Sequence, residues 1–396
     1  MQATRYLFKR LARMCQSIHA RRLRALMSAV EALPRGRRLT LTGLGRCLKS
    51  KAKVKHNIKR IDRLLGNEKL FDECLPVYGA TARMVMNGAR RVVIIVDWTE
   101  LAWNQKFHLL RAAIPIGGRA ITIYEEVHPR IAYNSRRVHR GFLQRLANVV
   151  GDSCQPIVVT DAGFRAPWFR AVEEFGWDWI GRLRNTTKVR ESGNSSWVPC
   201  KTLYLGANPR ARALGAFTVT RSNPVDCFLY LVQSNKRGRI HKTTRGSRSK
   251  ANRSLKAAAR AREPWLLASS LRNTDGMAKK VVKIYRQRMQ IEESFRDMKN
   301  RRSGFSLRDS RTNSAKRLAI LMLINTLSQL AVWLTGCAGR SQLLHHALQA
   351  NTVRDRTVLS TFFIGCQLIS KKFRFYEHQV VDALRQLNAA VSGAAP

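Results

Sequence analysis

The chain has 396 residues, 72 of them Lys or Arg against 25 Asp or Glu, a formal charge of +47, and 45% apolar content. That much apolar surface supports real cores in roughly two to four domains, and cations spread along the whole length point to a polyanionic partner, nucleic acid before a membrane surface or a merely solvated basic coat. Eight scattered cysteines form no CxxC pair and no paired Cys/His spacing, which argues against zinc; with no secretory signal they read as reduced thiols in a cytosol.

Residues 1–87 read as helical and basic. Leu7, Leu11 and Met14 share one face, as do Leu23, Leu26, Ala29 and Val30, and Pro34-Arg35-Gly36 is expected to break the run. A short helix capped by Thr40 or Thr42 precedes a longer one over about Val54–Leu65. There Ile58, Ile61 and Leu65 point inward, and Lys55, Lys59, Arg60 and Arg63 point outward. Short helix, turn and basic amphipathic helix fit a DNA-binding helix-turn-helix or an ordinary three-helix bundle with a basic face; the overall charge favours DNA.

After Gly88 the texture turns to β. Val92–Val96 is a continuous apolar run ending in Asp97, the signature of a strand covered on both faces. Phe107–Ile116 and Ile121–Val127 follow as a hairpin about Gly117-Gly118. Arg137–Val150 reads as a helix. Pro156–Thr160 is a second apolar strand and ends in Asp161; a helix over Pro167–Phe175 and a strand over Trp177–Arg184 complete the pattern. Two aspartates just beyond the ends of two buried strands occupy the place where open α/β sheets keep their chemistry, although either alone fits a cap or a turn.

Residues 185–270 interrupt that pattern. Thr202–Leu205, Ala216–Arg221 and Cys227–Gln233 are strand-like, and Lys236–Arg262 carries eleven Lys or Arg with no acid, a composition expected to be flexible until it meets DNA. Trp265, in a following strand, is either a core aromatic or an exposed stacking residue. One helix is expected from about Ala278 to Arg301. Tyr285, Arg288, Glu292 and Lys299 fall near a common face of it, a carboxylate set among cations and a phenol. Leu307–Arg311 brings Arg308 back toward that face. Leu318–Leu334 contains Asn325, Thr326, Ser328 and Gln329 and reads as a buried helix, short for a membrane span. His345 and His346 read as surface residues.

Three carboxylates, Asp97, Asp161 and Glu292, in a Lys/Arg-rich setting suit two-metal phosphoryl transfer, in which each Mg²⁺ takes its other ligands from phosphate and water. No Gly-rich phosphate loop appears, so nucleotide hydrolysis is not suggested.

The spacing Y-x2-R-x3-E-x6-K, met by Tyr285, Arg288, Glu292 and Lys299, together with Val-Asp-Trp at 96–98 and Asp-Ala-Gly-Phe at 161–164, resembles the DDE transposases of bacterial insertion-sequence family four, the hairpin-forming cut-and-paste group. The resemblance implies an α/β fold: an RNase H-like (retroviral integrase-like) catalytic core at 88–184 and 271–336, a β-rich insertion at 185–270, a helical N-terminal DNA-binding region at 1–87 and a helical C-terminal region at 337–396. It assigns Asp97, Asp161 and Glu292 as ligands of two Mg²⁺ ions, with Mn²⁺ as a substitute, and Tyr285, Arg288 and Lys299 to phosphates. Trp265 would stack on a flipped base, and Met289, otherwise a core-facing residue, would push into the vacated space. The implied reaction is nicking, hairpin formation, hairpin resolution and strand transfer. The partners are double-stranded DNA (terminal inverted repeats and target) and a second copy of the chain in a synaptic complex, in the bacterial cytoplasm on the nucleoid. Rival readings are a sequence-specific DNA-binding protein with a decayed site and an RNase H-like structure-specific nuclease without strand transfer.

Overall fold

A computed structural model describes residues 1–101, 106–184, 186–233, 247–350, 352–353 and 355–393. The chain divides into two compact units, Met1–Pro156 with Gln287–Pro396, and Ile157–Arg286.

The first unit begins with α1 (Gln2–Met14), α2 (Ala20–Gly36), α3 (Leu41–Cys47), α4 (Val54–Leu65), α5 (Glu68–Asp72) and α6 (Cys74–Met86). Leu7, Leu11, Leu23, Leu26, Ala29 and Val30 are buried, as their periodicity requires. Pro34 does not break the run. It sits in the last turn of α2, which ends where Arg37 takes a left-handed φ of 49°. Thr40 caps α3, its Oγ1 accepting the Gly43 N–H at 3.0 Å. On α4, Ile61, Leu64 and Leu65 are buried while Lys55, Lys59, Arg60 and Arg63 are exposed. Gly45 allows α3 and α4 to approach: a Cβ there would lie 2.6 Å from the Ile58 Cα.

Three strands follow, β1 (Val93–Glu100), β2 (Phe107–Ile116) and β3 (Arg119–Pro129), paired antiparallel in that order. Gly117 and Gly118, at φ 57° and 84°, make the turn between β2 and β3 that side chains disfavour. Asp97 lies inside β1 rather than beyond its end. Pairing with β2 continues to Glu100↔His108, because ladder hydrogen bonds do not require apolar side chains. Helix α7 (Arg136–Val150) completes this segment.

The second unit contains β4 (Ile157–Val159), α8 (Ala166–Glu173), β5 (Asp178–Leu183), β6 (Lys188–Glu191), β7 (Val198–Pro199), β8 (Arg212–Val219), β9 (Val225–Val232), α9 (Asn252–Arg262), β10 (Trp265–Ser269) and α10 (Met277–Arg286). Its strands run in the order β4-β5-β10-β9-β8-β6-β7. Among them β4 and β5 are parallel and the remaining pairs antiparallel. Two expectations need correction. Thr202–Leu205 lies in a 3₁₀ turn, Cys200–Gly206, not a strand. Asn252–Arg262 is a helix, since its Leu, Lys, Ala and Arg are good helix formers; residues 234–246 of the basic segment lie outside the described residues.

The chain re-enters the first unit with α11 (Met289–Lys299), α12 (Ala315–Ser341), α13 (Thr361–Ser370) and α14 (Glu377–Ser392). Helix α12 is long and apolar enough to cross a membrane, but 94% of its most apolar window is buried within the protein. It packs on β3, α2 and α13, and buried hydroxyls on it find acceptors: Ser328 Oγ donates to Val30 O at 3.0 Å and Thr326 Oγ1 to Glu125 at 2.6 Å. Gly336 and Gly365 bring α12 and α13 together, each with backbone of the other helix or its first turn where a Cβ would stand. His345 is buried, contrary to expectation, in the turns after α12; His346 is exposed. The fold is thus mixed α/β, with helices enclosing the strands of the first unit.

Candidate active site

The signature stretch is not one helix. α10 ends at Arg286 and α11 starts at Met289. At the junction Gln290 N bonds Gln287 O at 2.9 Å and Ile291 N bonds Arg288 O at 3.3 Å, three-residue spacings that tighten the chain without Gly or Pro. The chain passes between its two units at the same point, so Tyr285 belongs to one unit and Arg288, Met289, Glu292 and Lys299 to the other.

In the first unit, β1 and α11 bring opposite charges together. Asp97 Oδ1 accepts the Trp98 N–H at 2.8 Å, and Asp97 Oδ2 faces Arg288 Nη1 at 3.5 Å. Arg288 Nη2 donates to Glu292 Oε1 at 2.9 Å. One guanidinium therefore spans the two carboxylates. Thr99 shares the β1 face of Asp97 two residues on, and its Oγ1 accepts from Lys299 Nζ at 2.5 Å. Met289 is 48% exposed, with its Sδ 3.1 Å from Arg288 Nη2.

Lys299 sits in unusual electrostatics. It lines a cavity of about 550 Å³ with Trp98, Thr99, Glu100, His108, Arg130 and Tyr133. Burial, then Arg308 and Arg111, push its amine down to about 8, against weaker support from Glu100 and Asp97. Arg308 thus acts on this face, as its loop suggested. Behind it lies a buried ion pair: Arg111 Nε donates to Glu125 Oε2 at 2.7 Å, and Arg111 stands opposite Asp97 in the ladder. Trp98 Nε1 donates to His139 Nε2 at 3.1 Å; burial, then His128, lower the imidazole to about 4, and a neutral ring is what that bond requires.

In the second unit, Asp161 follows β4 and its Oδ1 accepts the Gly163 N–H at 2.8 Å. A Cβ on Gly163 would lie 2.9 Å from that oxygen, so the Asp-Ala-Gly turn needs its glycine. Asp161 borders a cleft of about 880 Å³ lined also by Arg165, Arg182, Arg184, Lys188 and Arg221. Trp265 is half-buried at the start of β10, its ring edge-on to Tyr285 at 5.1 Å; Tyr285 is only 4% exposed.

Among the described residues no three His, Cys, Asp or Glu side chains form a metal cluster. Asp97 and Glu292 nevertheless supply the hard oxygen atoms that a divalent ion takes, and one guanidinium reaches both.

The profile of the family described as Transposase DDE domain matches residues 88–326, more than half of the chain and all three carboxylates. The chain belongs to that family. It is a transposase, an enzyme of DNA transposition whose relatives generally use divalent metal ions. No curated protein matches it. Among solved structures it is similar to piggyBac transposase in a synaptic complex with hairpin DNA, at 12% identity and a TM-score of 0.38, over 100% of this chain and 76% of the other.

Sequence reasoning missed Thr99 and His139. The transposase keeps Thr99 on the Asp97 face by strand periodicity, a signal present in the sequence. The Trp98–His139 bond joins β1 to α7 and had no local signal. Arg182 and Arg184 were likewise invisible, their cleft being formed by separate strands and loops.

Proposed function

We propose that this transposase moves a DNA element by cut-and-paste through hairpin ends, with the chemistry of insertion-sequence family four and close to the transposase of the tetracycline-resistance transposon ten. The observation that carries the reading is Arg288 spanning Asp97 and Glu292 beside the Lys299–Thr99 pair. In this reading the core is RNase H-like, and Asp97, Asp161 and Glu292 hold two Mg²⁺ ions, with Mn²⁺ as a substitute. Metal held there would supply activation of a water or 3′-hydroxyl and neutralisation of the leaving oxygen. Arg288 offers a planar fork that matches a phosphate, Lys299 a point charge, and Tyr285 a phenol beside the scissile bond. Nicking, hairpin formation, resolution and strand transfer then repeat one in-line displacement. The substrates are terminal inverted repeats and target DNA, two copies of the chain act in the synaptic complex, and the work takes place on the bacterial nucleoid.

Base extrusion is assigned to Trp265, half-buried beside the Tyr285 ring, and to Met289, which is exposed. Trp265→Ala is expected to nick an end-bearing duplex at the wild-type rate and to accumulate about tenfold less hairpin, since base–aromatic stacking is worth about 1–3 kcal/mol. Unchanged hairpin yield on a denaturing gel would remove Trp265 from the step.

Lys299 gives the reaction a pH signature. A phosphate contact needs the charged amine, and an amine at about 8 loses charge across the range in which an ordinary lysine at 10.5 keeps it. End binding should therefore fall by up to about tenfold between pH 7 and 9, and Lys299→Arg should flatten the fall. A wild-type profile as flat as that of the Arg variant would show that Lys299 does not hold phosphate. The effect on folding has the opposite sign. The desolvation penalty is full below pH 8 and relaxes toward 10.5, as the folded chain loses its proton first.

A further inference from the structure

A second basic surface shares no lining residue with the Lys299 cavity or the Asp161 cleft. It is a cleft of about 800 Å³ in the first unit, between the start of α1, the region around α3 and the turn joining α13 to α14. Arg5, Lys49, Lys372 and Arg374 border it, and all four are exposed. Among the described residues Arg5, Lys372 and Arg374 make no ion pair. Phe373 and Phe375 alternate with Lys372 and Arg374 along the chain and line the same cleft, with ring centroids 6.0 Å apart, Phe373 48% exposed and Phe375 half-buried. Lys372 takes a left-handed φ of 57°, which turns the chain sharply just before Phe373.

A large aromatic such as Phe373 left in water beside unpaired cations is well placed to meet a flat, charged partner. A closed duplex offers such a cleft only phosphates. A single strand offers phosphates to the cations and base faces to the rings, the combination found in sequence-tolerant single-strand binding. We propose that this cleft is a separate site for single-stranded DNA, seating an unpaired stretch by stacking on Phe373 and Phe375 and by phosphate contacts to Arg5, Lys49 and Arg374. It rests on the chain's membership of a DNA transposase family and not on the hairpin pathway.

The molecule carries its own probe. Cys47 lines the cleft, and it is the one cysteine of the eight that is not buried. Alkylation of the full-length protein by a maleimide, mapped by mass spectrometry, is expected to be slowed severalfold by a thymidine dodecamer and much less by an equal concentration of blunt duplex. Phe373→Ala should lower dodecamer affinity about tenfold without changing its salt dependence, and Arg374→Gln should reduce the log–log salt slope by about 0.7. Neither residue belongs to the cleavage machinery, so both variants should retain wild-type metal-dependent nicking, which also reports that they fold. Equal protection by duplex, protection by anionic vesicles instead of the dodecamer, or no protection would overturn the proposal. So would a Phe373→Ala variant that nicks normally and binds the dodecamer as tightly as wild type.

Discussion

Asp97→Ala, Asp161→Ala and Glu292→Ala are each expected to reduce Mg²⁺-dependent cleavage by at least about a thousandfold while end binding stays within a few fold. Metal-assisted displacement loses several kcal/mol with a missing carboxylate, and each 1.4 kcal/mol is about a factor of ten in rate. In the proposed reading binding draws instead on a charge of +47 spread over the chain, with Lys55, Lys59, Arg60 and Arg63 exposed on α4. The geometry adds a distinction among the three. Asp97 and Glu292 both engage Arg288, so losing either releases that guanidinium from one of its two carboxylates. Asp161 instead holds a backbone N–H of its own turn. Asp97→Ala and Glu292→Ala should therefore bind DNA slightly tighter than wild type, and Asp161→Ala should not. A denaturing gel for cleavage and a shift assay for binding read both effects; near-normal cleavage in any of the three variants would remove that residue from the site.

Glu125→Ala is expected to lower the stability of the first unit by about 3–5 kcal/mol, the usual cost of leaving one member of a buried ion pair alone. Arg111 is 0% exposed and Glu125 5%. Glu125 Oε1 also accepts from Tyr78 at 3.1 Å and Thr326 at 2.6 Å, so the substitution leaves two hydroxyls and a guanidinium unsatisfied. The double variant Arg111→Met, Glu125→Leu removes both charges and should recover much of the loss. Urea unfolding followed by circular dichroism would show it as a midpoint shift in the single variant that is largely reversed in the double. A single variant as stable as wild type would mean that water enters the pair. Arg111 lies opposite Asp97 in the ladder, so a cleavage assay of the double variant tests whether this buried cation also holds β1 in place.

Much of this arrangement was legible in the residues, for physical reasons. Helices α2, α4, α7 and α12 declare themselves by apolar spacing, and the β2–β3 turn by two adjacent glycines. The charged neighbours Asp97, Glu292, Arg288 and Lys299 were legible from motif spacing, whereas Arg182 and Arg184 of the Asp161 cleft were not. Three further features were not. The run of apolar residues stops before Asp97, but β1 continues because its partner strand supplies hydrogen bonds that composition cannot report. The break at Gln287-Arg288 contains neither Gly nor Pro, so no local residue announces it. The buried hydroxyls of α12 read as polar interruptions until their acceptors, Val30 O and Glu125, are known from distant parts of the chain.

The way the first unit is assembled from the two ends of the chain sets an order on its synthesis. Asp97 leaves the ribosome nearly two hundred residues before Glu292. Helix α14 comes later still, yet Asn388 in it donates to Met84 O at 2.8 Å and Val85 O at 2.7 Å, closing the last carbonyls of α6. A growing chain therefore presents its basic N-terminal helices long before it can bring Asp97 and Glu292 to one guanidinium. A product stopped before α11 keeps the cationic face of α4 and carries no Glu292. Translation of α11 thus separates a chain that carries only the basic helices from one that also carries Glu292, which in the proposed reading is the difference between holding DNA and cutting it.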